Sequence, residues 1–211
     1  MKNLLIVGTG GFAREVYWHA QNSKGYNTEF IIKGFLEGDV PIAPNRYSLM
    51  PTKVLDNVLN YYVQKDDVFV IAIADPKIKK RIADILDTKH CNFINLIHET
   101  ALVSPTAALG YGIILCPYTV ITCNTNIGNH IMLNLYSSIG HDSKIGDYTS
   151  LMCYVDISGN VKIGKFNFWG NCSSVIPSCK IENNVKVGAG AVVVRDLKEK
   201  GTYIGVPAKL I

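Results

Sequence analysis

Nothing in this chain is made to enter a bilayer or to be crosslinked by disulfides. Its first apolar run, residues 4–7, ends at glycine, and no stretch approaches the roughly 20 consecutive apolar residues that span a membrane. Neither a secretory signal nor membrane insertion is therefore expected. Six cysteines, at positions 91, 116, 123, 153, 172 and 179, form no CxxC and no paired metal-ligand spacing. They read as reduced, buried or half-buried thiols of a cytoplasmic protein. A formal net charge of +4 is too small to argue for nucleic acid, although it is compatible with a phosphorylated small ligand. With 48% hydrophobic residues over 211 positions, the chain can bury the cores of one or two domains.

What is present instead is a period. Every sixth residue from Ile97 to Val193 is aliphatic in sixteen of seventeen cases, Trp169 being the exception. Glycine follows at 110, 128, 140, 146, 164, 170 and 188. The residue four places after each aliphatic is small or β-branched almost throughout, as at Thr119, Ser137, Ser143 and Ser173. A period of six is neither helical nor a simple strand alternation, so it marks a stacked unit of one short strand and a turn, a parallel β-helix with one narrow core. The glycines after the aliphatic are expected to supply positive φ at the corners.

Residues before the repeat have another rhythm. A short buried strand at residues 4–7 leads into Gly8-Thr9-Gly10-Gly11-Phe12-Ala13 and then a helical pattern. Strands are predicted at residues 30–36, 68–72 and 93–97. Helices are predicted at residues 50–62 and 76–86, the latter with Asp75 as N-cap and Pro76 in its first turn. Alternating strands and helices imply a small parallel α/β domain, residues 1–95, ahead of a solenoid at 96–211. Gly8-x-Gly10-x-x-Ala13 fits the dinucleotide fingerprint in its required strand-to-helix context. Only about one mononucleotide half fits before Ile97, which argues against NAD. A sugar-acid or nucleotide-sugar site, or a purely structural turn, remain as readings of the loop.

The unbroken hexads and the ending Gly205-Val206-Pro207-Ala208-Lys209 resemble the hexapeptide-repeat acyltransferases. The whole chain resembles their subgroup with an added N-terminal domain, the sialic acid O-acetyltransferases and nucleotide-4-amino-sugar N-acetyltransferases. The resemblance implies a left-handed β-helix with three hexads per coil after a half-Rossmann-like α/β domain, a homotrimer, and acetyl-CoA as acetyl donor. It places the acceptor on Gly8, Gly10, Gly11 and Phe12, with Glu37 carried over from the subgroup's acidic pair and Asp39 a nearby candidate. Phe12 stands where some 4-amino-sugar enzymes have histidine, and Ser150 where some relatives have a histidine that contacts CoA.

Acetyl transfer requires a base for the acceptor's proton and a donor for the developing oxyanion. His141 suits the first role, because it interrupts the hexad after Ile139 and points outward, and the adjacent Asp142 is placed to raise its basicity. With 18 residues per coil, Cys123 and Gly159 flank His141, and Gly159 leaves room for the thioester. Asn134 either binds the acceptor or forms a polar corner. CoA contacts are expected from Ser150, Gly159, Gly188, Ala189 and Lys209, with Lys180, Lys186, Arg195, Lys198 and Lys200 supplying further cations for its phosphates. The expected function is N-acetylation of a nucleotide-linked 4-amino-sugar; O-acetylation of a sugar hydroxyl such as that of sialic acid is the alternative. A binding scaffold is a third reading. A metal site is disfavoured, since the repeat holds only His130 and His141, with His98 at its edge, and spacings of 32 and 11 keep them out of one stack.

Overall fold

The computed structural model describes residues 1–40 and 44–211. Its N-terminal unit begins with β1, Lys2–Val7, followed by α1, Gly11–Ala20, and β2, Phe30–Glu37. A 3-10 turn at Pro44–Leu49 precedes β3, Val54–Asn57; then come β4, Asp67–Ile71, α2, Pro76–Thr88, and β5, Asn92–Phe93. All five strands are parallel in the order β3-β2-β1-β4-β5. This is one mononucleotide half plus the strand-helix-strand start of another, with the order reversing between β1 and β4.

The helix expected over residues 50–62 is absent. Pro51 cannot donate a backbone hydrogen bond, Val54 and Leu55 sit in the edge strand β3, and Asn57 closes it by accepting the amides of Leu59 and Asn60 through its side chain. The strand expected over residues 93–97 divides in two. β5 pairs with β4, whereas Leu96–Ile97 pairs with Ile114–Leu115 and opens the solenoid. The α2 cap is as expected, with Asp75 accepting the amides of Lys77 and Ile78 and Pro76 in the first turn.

From Leu96 to Val193 the chain is a parallel β-helix of short strands on three faces that pair eighteen residues apart, as in Ile121 with Ile139 and Ile139 with Ile157; Gly201–Ile204 then joins the face that carries Met132 and pairs antiparallel with Lys209–Leu210. We name the faces by Met132, Ser138 and Lys144, successive in the chain. The aliphatics and Trp169 form one continuous core. The glycines that follow them do not carry positive φ; Gly140, Gly146 and Gly170 are needed because an added Cβ would meet backbone of the next coil at 2.6 Å. Positive φ falls two residues later, at Asp142, Tyr148, Tyr154, Asn160 and Phe166 among others. Buried hydroxyls brace the same corners: Ser143 accepts the amide of Val161 and donates to the carbonyl of Ser158.

The N-terminal unit packs on the Met132 face, where Ile114, Cys116 and Met132 share a core with Leu4, Ile6, Val16 and Val70. This seam holds polar groups sealed from water. Lys79 of α2 is buried and donates to Ser150 Oγ at 2.7 Å, and burial pushes its ammonium down to about 7. His130 stacks on Tyr148 at 5.1 Å and meets Phe93 edge-on at 4.6 Å, with neither nitrogen hydrogen-bonded. Burial, and then Lys79, push it to about 4; burial and then His98 do the same to His19. Among the described residues no helix is long and apolar enough to cross a membrane.

Both histidines release protons more readily folded than unfolded. The unfolded chain therefore binds more protons between their ordinary 6.5 and about 4, and stability falls as pH falls through that window. His130→Phe keeps the stack, since Phe166 holds the same corner position at φ 61. It is expected to raise stability by about 1–2 kcal/mol at neutral pH by removing unpartnered nitrogens. Urea melts from pH 4 to 7 should also show a shallower decline than wild type.

Candidate active site

His141 stands on the corner between the Ser138 and Lys144 faces, projected outward because Ile139, two residues earlier, fills the core. The turn is fixed by backbone: Asp142, at φ 60, donates its amide to the Cys123 carbonyl, and Asn160 donates to the His141 carbonyl at 2.7 Å. Asp142 Oδ2 lies 2.8 Å from His141 Nδ1. A carboxylate accepts, so Nδ1 carries the proton and Nε2 presents its lone pair. Hydrogen bonds from His141 and then Asn124 hold the Asp142 carboxyl below the usual range. The imidazole lies over Gly159: a Cβ there would stand 2.5 Å from Nε2. The Gly159 amide is bonded to no protein acceptor among the described residues.

The second grouping lies at the carboxyl ends of β1 and β4. Residues 8–12, Asp39 and the 72–74 segment line a cavity of about 490 Å³ at the point where strand order reverses, the usual crevice for ligands in such sheets. α1 starts at Gly11 with Gly10 as N-cap and no side-chain cap, so its first amides face the cavity without an acceptor. Arg81 of α2 also lines the cavity, its guanidinium gripping Asp39 through Nε at 2.6 Å and Nη2 at 3.0 Å. Nothing in the residue pattern singled out Arg81. The available signal was its place three residues after Ile78 on a helix that begins at the end of β4.

Several expected contacts fall elsewhere. Glu37 is buried and lines a different cavity with Lys53 and Asp56, where the Tyr47 phenol hydrogen-bonds it. It therefore does not share the glycine-loop cavity with Asp39. Ser150 is buried beneath Lys79 on the Met132 face, because its hydroxyl is what satisfies that ammonium, and no CoA can reach it there. Asn134 is buried and bends its own side chain back to accept the Leu135 amide, the polar-corner alternative. Cys123 and Cys172 are exposed rather than buried, since both sit at corner positions. Gly188 and Ala189 lie at the corner between the Met132 and Ser138 faces, and Lys209 is exposed on the final strand.

Two of the expected cations of the last third lie on different faces. Lys186 is on the Met132 face, 5.5 Å over the Phe168 ring, while Lys180 belongs to the Lys144 face. There Lys144, Lys162 and Lys180 pair in register, a basic column beside the His141 corner.

Comparison with known proteins follows both halves of this geometry. Residues 3–86 match the model of the PglD N-terminal domain, and residues 160–195 match that of the bacterial transferase hexapeptide with six repeats. A mutant of perosamine N-acetyltransferase from Caulobacter crescentus, solved with CoA and GDP-perosamine, is 27% identical with a TM-score of 0.87, covering 100% of this chain and 97% of that one. PerB from Caulobacter crescentus, with the same two ligands, is 26% identical with a TM-score of 0.88 and coverage of 100% and 98%. The acetyltransferase domain of PglB from Neisseria gonorrhoeae shares the fold at 23% identity, with a TM-score of 0.87 and full coverage of both chains. With a PglD-type domain at residues 3–86 and transferase hexapeptides at 160–195, this chain is similar in both halves to the hexapeptide-repeat sugar acetyltransferases.

Proposed function

We propose that this protein transfers the acetyl group of acetyl-CoA to the amine of a nucleotide-linked 4-amino-sugar, with His141 as general base. The observation that carries this reading is the imidazole itself: Nδ1 is fixed by Asp142, and Nε2 lies over a residue without a side chain. Two similar structures, at 27% and 26% identity with this chain fully covered, hold CoA and GDP-perosamine.

In the reaction, Nε2 takes the proton from the acceptor nitrogen as the new C–N bond forms at the thioester carbonyl. The tetrahedral oxyanion needs a fixed donor, a role for the Gly159 amide. Collapse breaks the C–S bond, and the imidazolium returns its proton to the leaving sulfur. Asp142 holds the ring in place through Nδ1 throughout, from an exposed position.

Residues 1–95 act as the acceptor domain and 96–211 as the acetyltransferase domain. The N-terminal unit covers the Met132 face, whereas His141 occupies the corner opposite that face. One chain thus holds its glycine-loop cavity and its base on different sides of the prism. A homotrimer, with the acceptor seated on residues 8–12 of one chain and reaching His141 of another, brings them together. Gly188 and Ala189, across the Ser138 face from His141, then border the CoA groove of the neighbouring site, and Lys162, Lys180 and Lys209 serve its phosphates.

Thiol release from acetyl-CoA with UDP-, dTDP- and GDP-4-amino-sugars, beside free and CMP-linked sialic acids, tests the reaction. One amino-sugar should turn over, with ~10²-fold or greater loss in His141→Ala. Turnover of a sialic acid alone would reassign the acceptor to a hydroxyl. Gly159→Ala should lose activity on a similar scale, about 10²-fold, by displacing the imidazole. Its melting temperature should stay close to wild type, because Gly159 does not need positive φ.

Sharing of the site is tested by complementation. Gly10→Asp adds a favoured N-cap, with open space for its Cβ, but sets a carboxylate where phosphate would sit. Random trimers from equal amounts of Gly10→Asp and His141→Ala chains should recover about a quarter of wild-type activity, since each site then draws a functional half from each of two neighbours. Activity no higher than either variant alone would mean that each chain holds a whole site.

A further inference from the structure

We infer that Arg81 receives the diphosphate of the acceptor, and that Asp39 serves to orient Arg81 rather than to hold the substrate's ammonium. The inference rests on the nucleotide-sugar reading above and names a subsite within it.

Three observations converge. Asp39 and Arg81 are the only titratable side chains that line the glycine-loop cavity among the described residues. Both Asp39 oxygens are committed to the guanidinium, at 2.6 and 3.0 Å, and the carboxylate is 17% exposed against 51% for Arg81. The fork fills two of the carboxylate's roughly four acceptor sites, so an ammonium would have to share Asp39 with a bidentate cation that already neutralises it. An anion meets no such obstacle. The fork uses two of the five guanidinium N–H donors and leaves three, all on a side chain that lines the cavity.

The start of α1 lines the same cavity, with Gly10 as N-cap and no side chain capping its first amides. A diphosphate between residues 10–12 and Arg81 would satisfy both sets of donors at once. Its sugar would then extend out of the cavity with the amine away from Asp39, the direction that a base on a neighbouring chain requires.

Calorimetric titration of the intact protein with UDP, dTDP and GDP reads this directly. Arg81→Gln should weaken the tightest of these by about 10- to 100-fold, the range for losing charged hydrogen bonds. Arg81→Lys should recover only part of it, since a point charge cannot fill both Asp39 and a phosphate. Asp39→Asn should weaken binding less, by about 3- to 10-fold, through loss of orientation. In turnover these changes should appear in the acceptor KM, with the acetyl-CoA KM unaltered. Circular dichroism melts confirm that the half-exposed substitutions fold.

Nucleoside diphosphate affinity unchanged in Arg81→Gln overturns the inference. So does a fall in kcat in Asp39→Asn at unchanged diphosphate affinity, which would return Asp39 to the ammonium. If binding depends on Arg81 but no acceptor releases thiol, the subsite stands and the transferase reading falls. If wild type binds none of the three diphosphates yet acetylates a free sugar, both the subsite and the nucleotide-linked acceptor are wrong.

Discussion

The distance between stacked coils governs this molecule. Parallel strands lie roughly 4.8 Å apart, and with eighteen residues per coil each corner side chain sits one strand spacing above the next. At that separation a Cβ collides wherever the backbone of the next coil comes close, as where Gly140 lies against the backbone of Gly159 and Gly170 against that of Ala189. The same spacing turns aromatic corners into stacks, as in Tyr118, Tyr136 and Tyr154, whose centroids are 5.0 and 4.9 Å apart. It also decides the chemistry. His141 needs room for an imidazole over the next coil, and only a residue without a side chain at 159 gives it.

The N-terminal unit answers a different constraint. One face of the prism is closed by a second domain, and the polar groups caught in the seam must find partners or lose their charge. Lys79 does both, donating to Ser150 while burial lowers its affinity for a proton. His130 finds only aromatic neighbours and stays neutral. Such a seam is costly to rearrange, so the domain is set rigidly enough for its glycine loop to be aimed.

The repeat was legible because burial imposes it at every sixth residue, and the β-helix, its core and the outward His141 all follow from that one period. Asp142 was legible as the neighbour of His141, and the place of Gly159 over it once eighteen residues made a coil. Two site residues were misjudged because their settings depend on long-range packing that no local pattern encodes. Ser150 occupies a hexad position equivalent to Met132, and only the arrival of α2 turns it into a buried partner of Lys79. Glu37 and Asp39 are two apart, yet the end of β2 sends them to different cavities. The role assigned to glycine was wrong in mechanism though right in place: close approach fixes those positions, and positive φ is carried by the residue two further on, often asparagine, aspartate or tyrosine.

His141 is 62% exposed and its aspartate 53%, an unusual setting for an acid–base pair. In water the attraction between an imidazolium and a carboxylate is worth about 1 kcal/mol, against several when solvent is excluded. The pair as it stands in one chain therefore supplies orientation more than electrostatic stabilisation. Covering that corner would strengthen the Asp142 interaction, shield the thioester from hydrolysis and give the Gly159 amide a drier acceptor. The N-terminal domain of the same chain cannot provide the cover, because it is held on the opposite face by the Lys79 seam. On the proposed reading, the requirements of the base and the geometry of the acceptor cavity ask for the same thing, a second solenoid laid against the His141 corner.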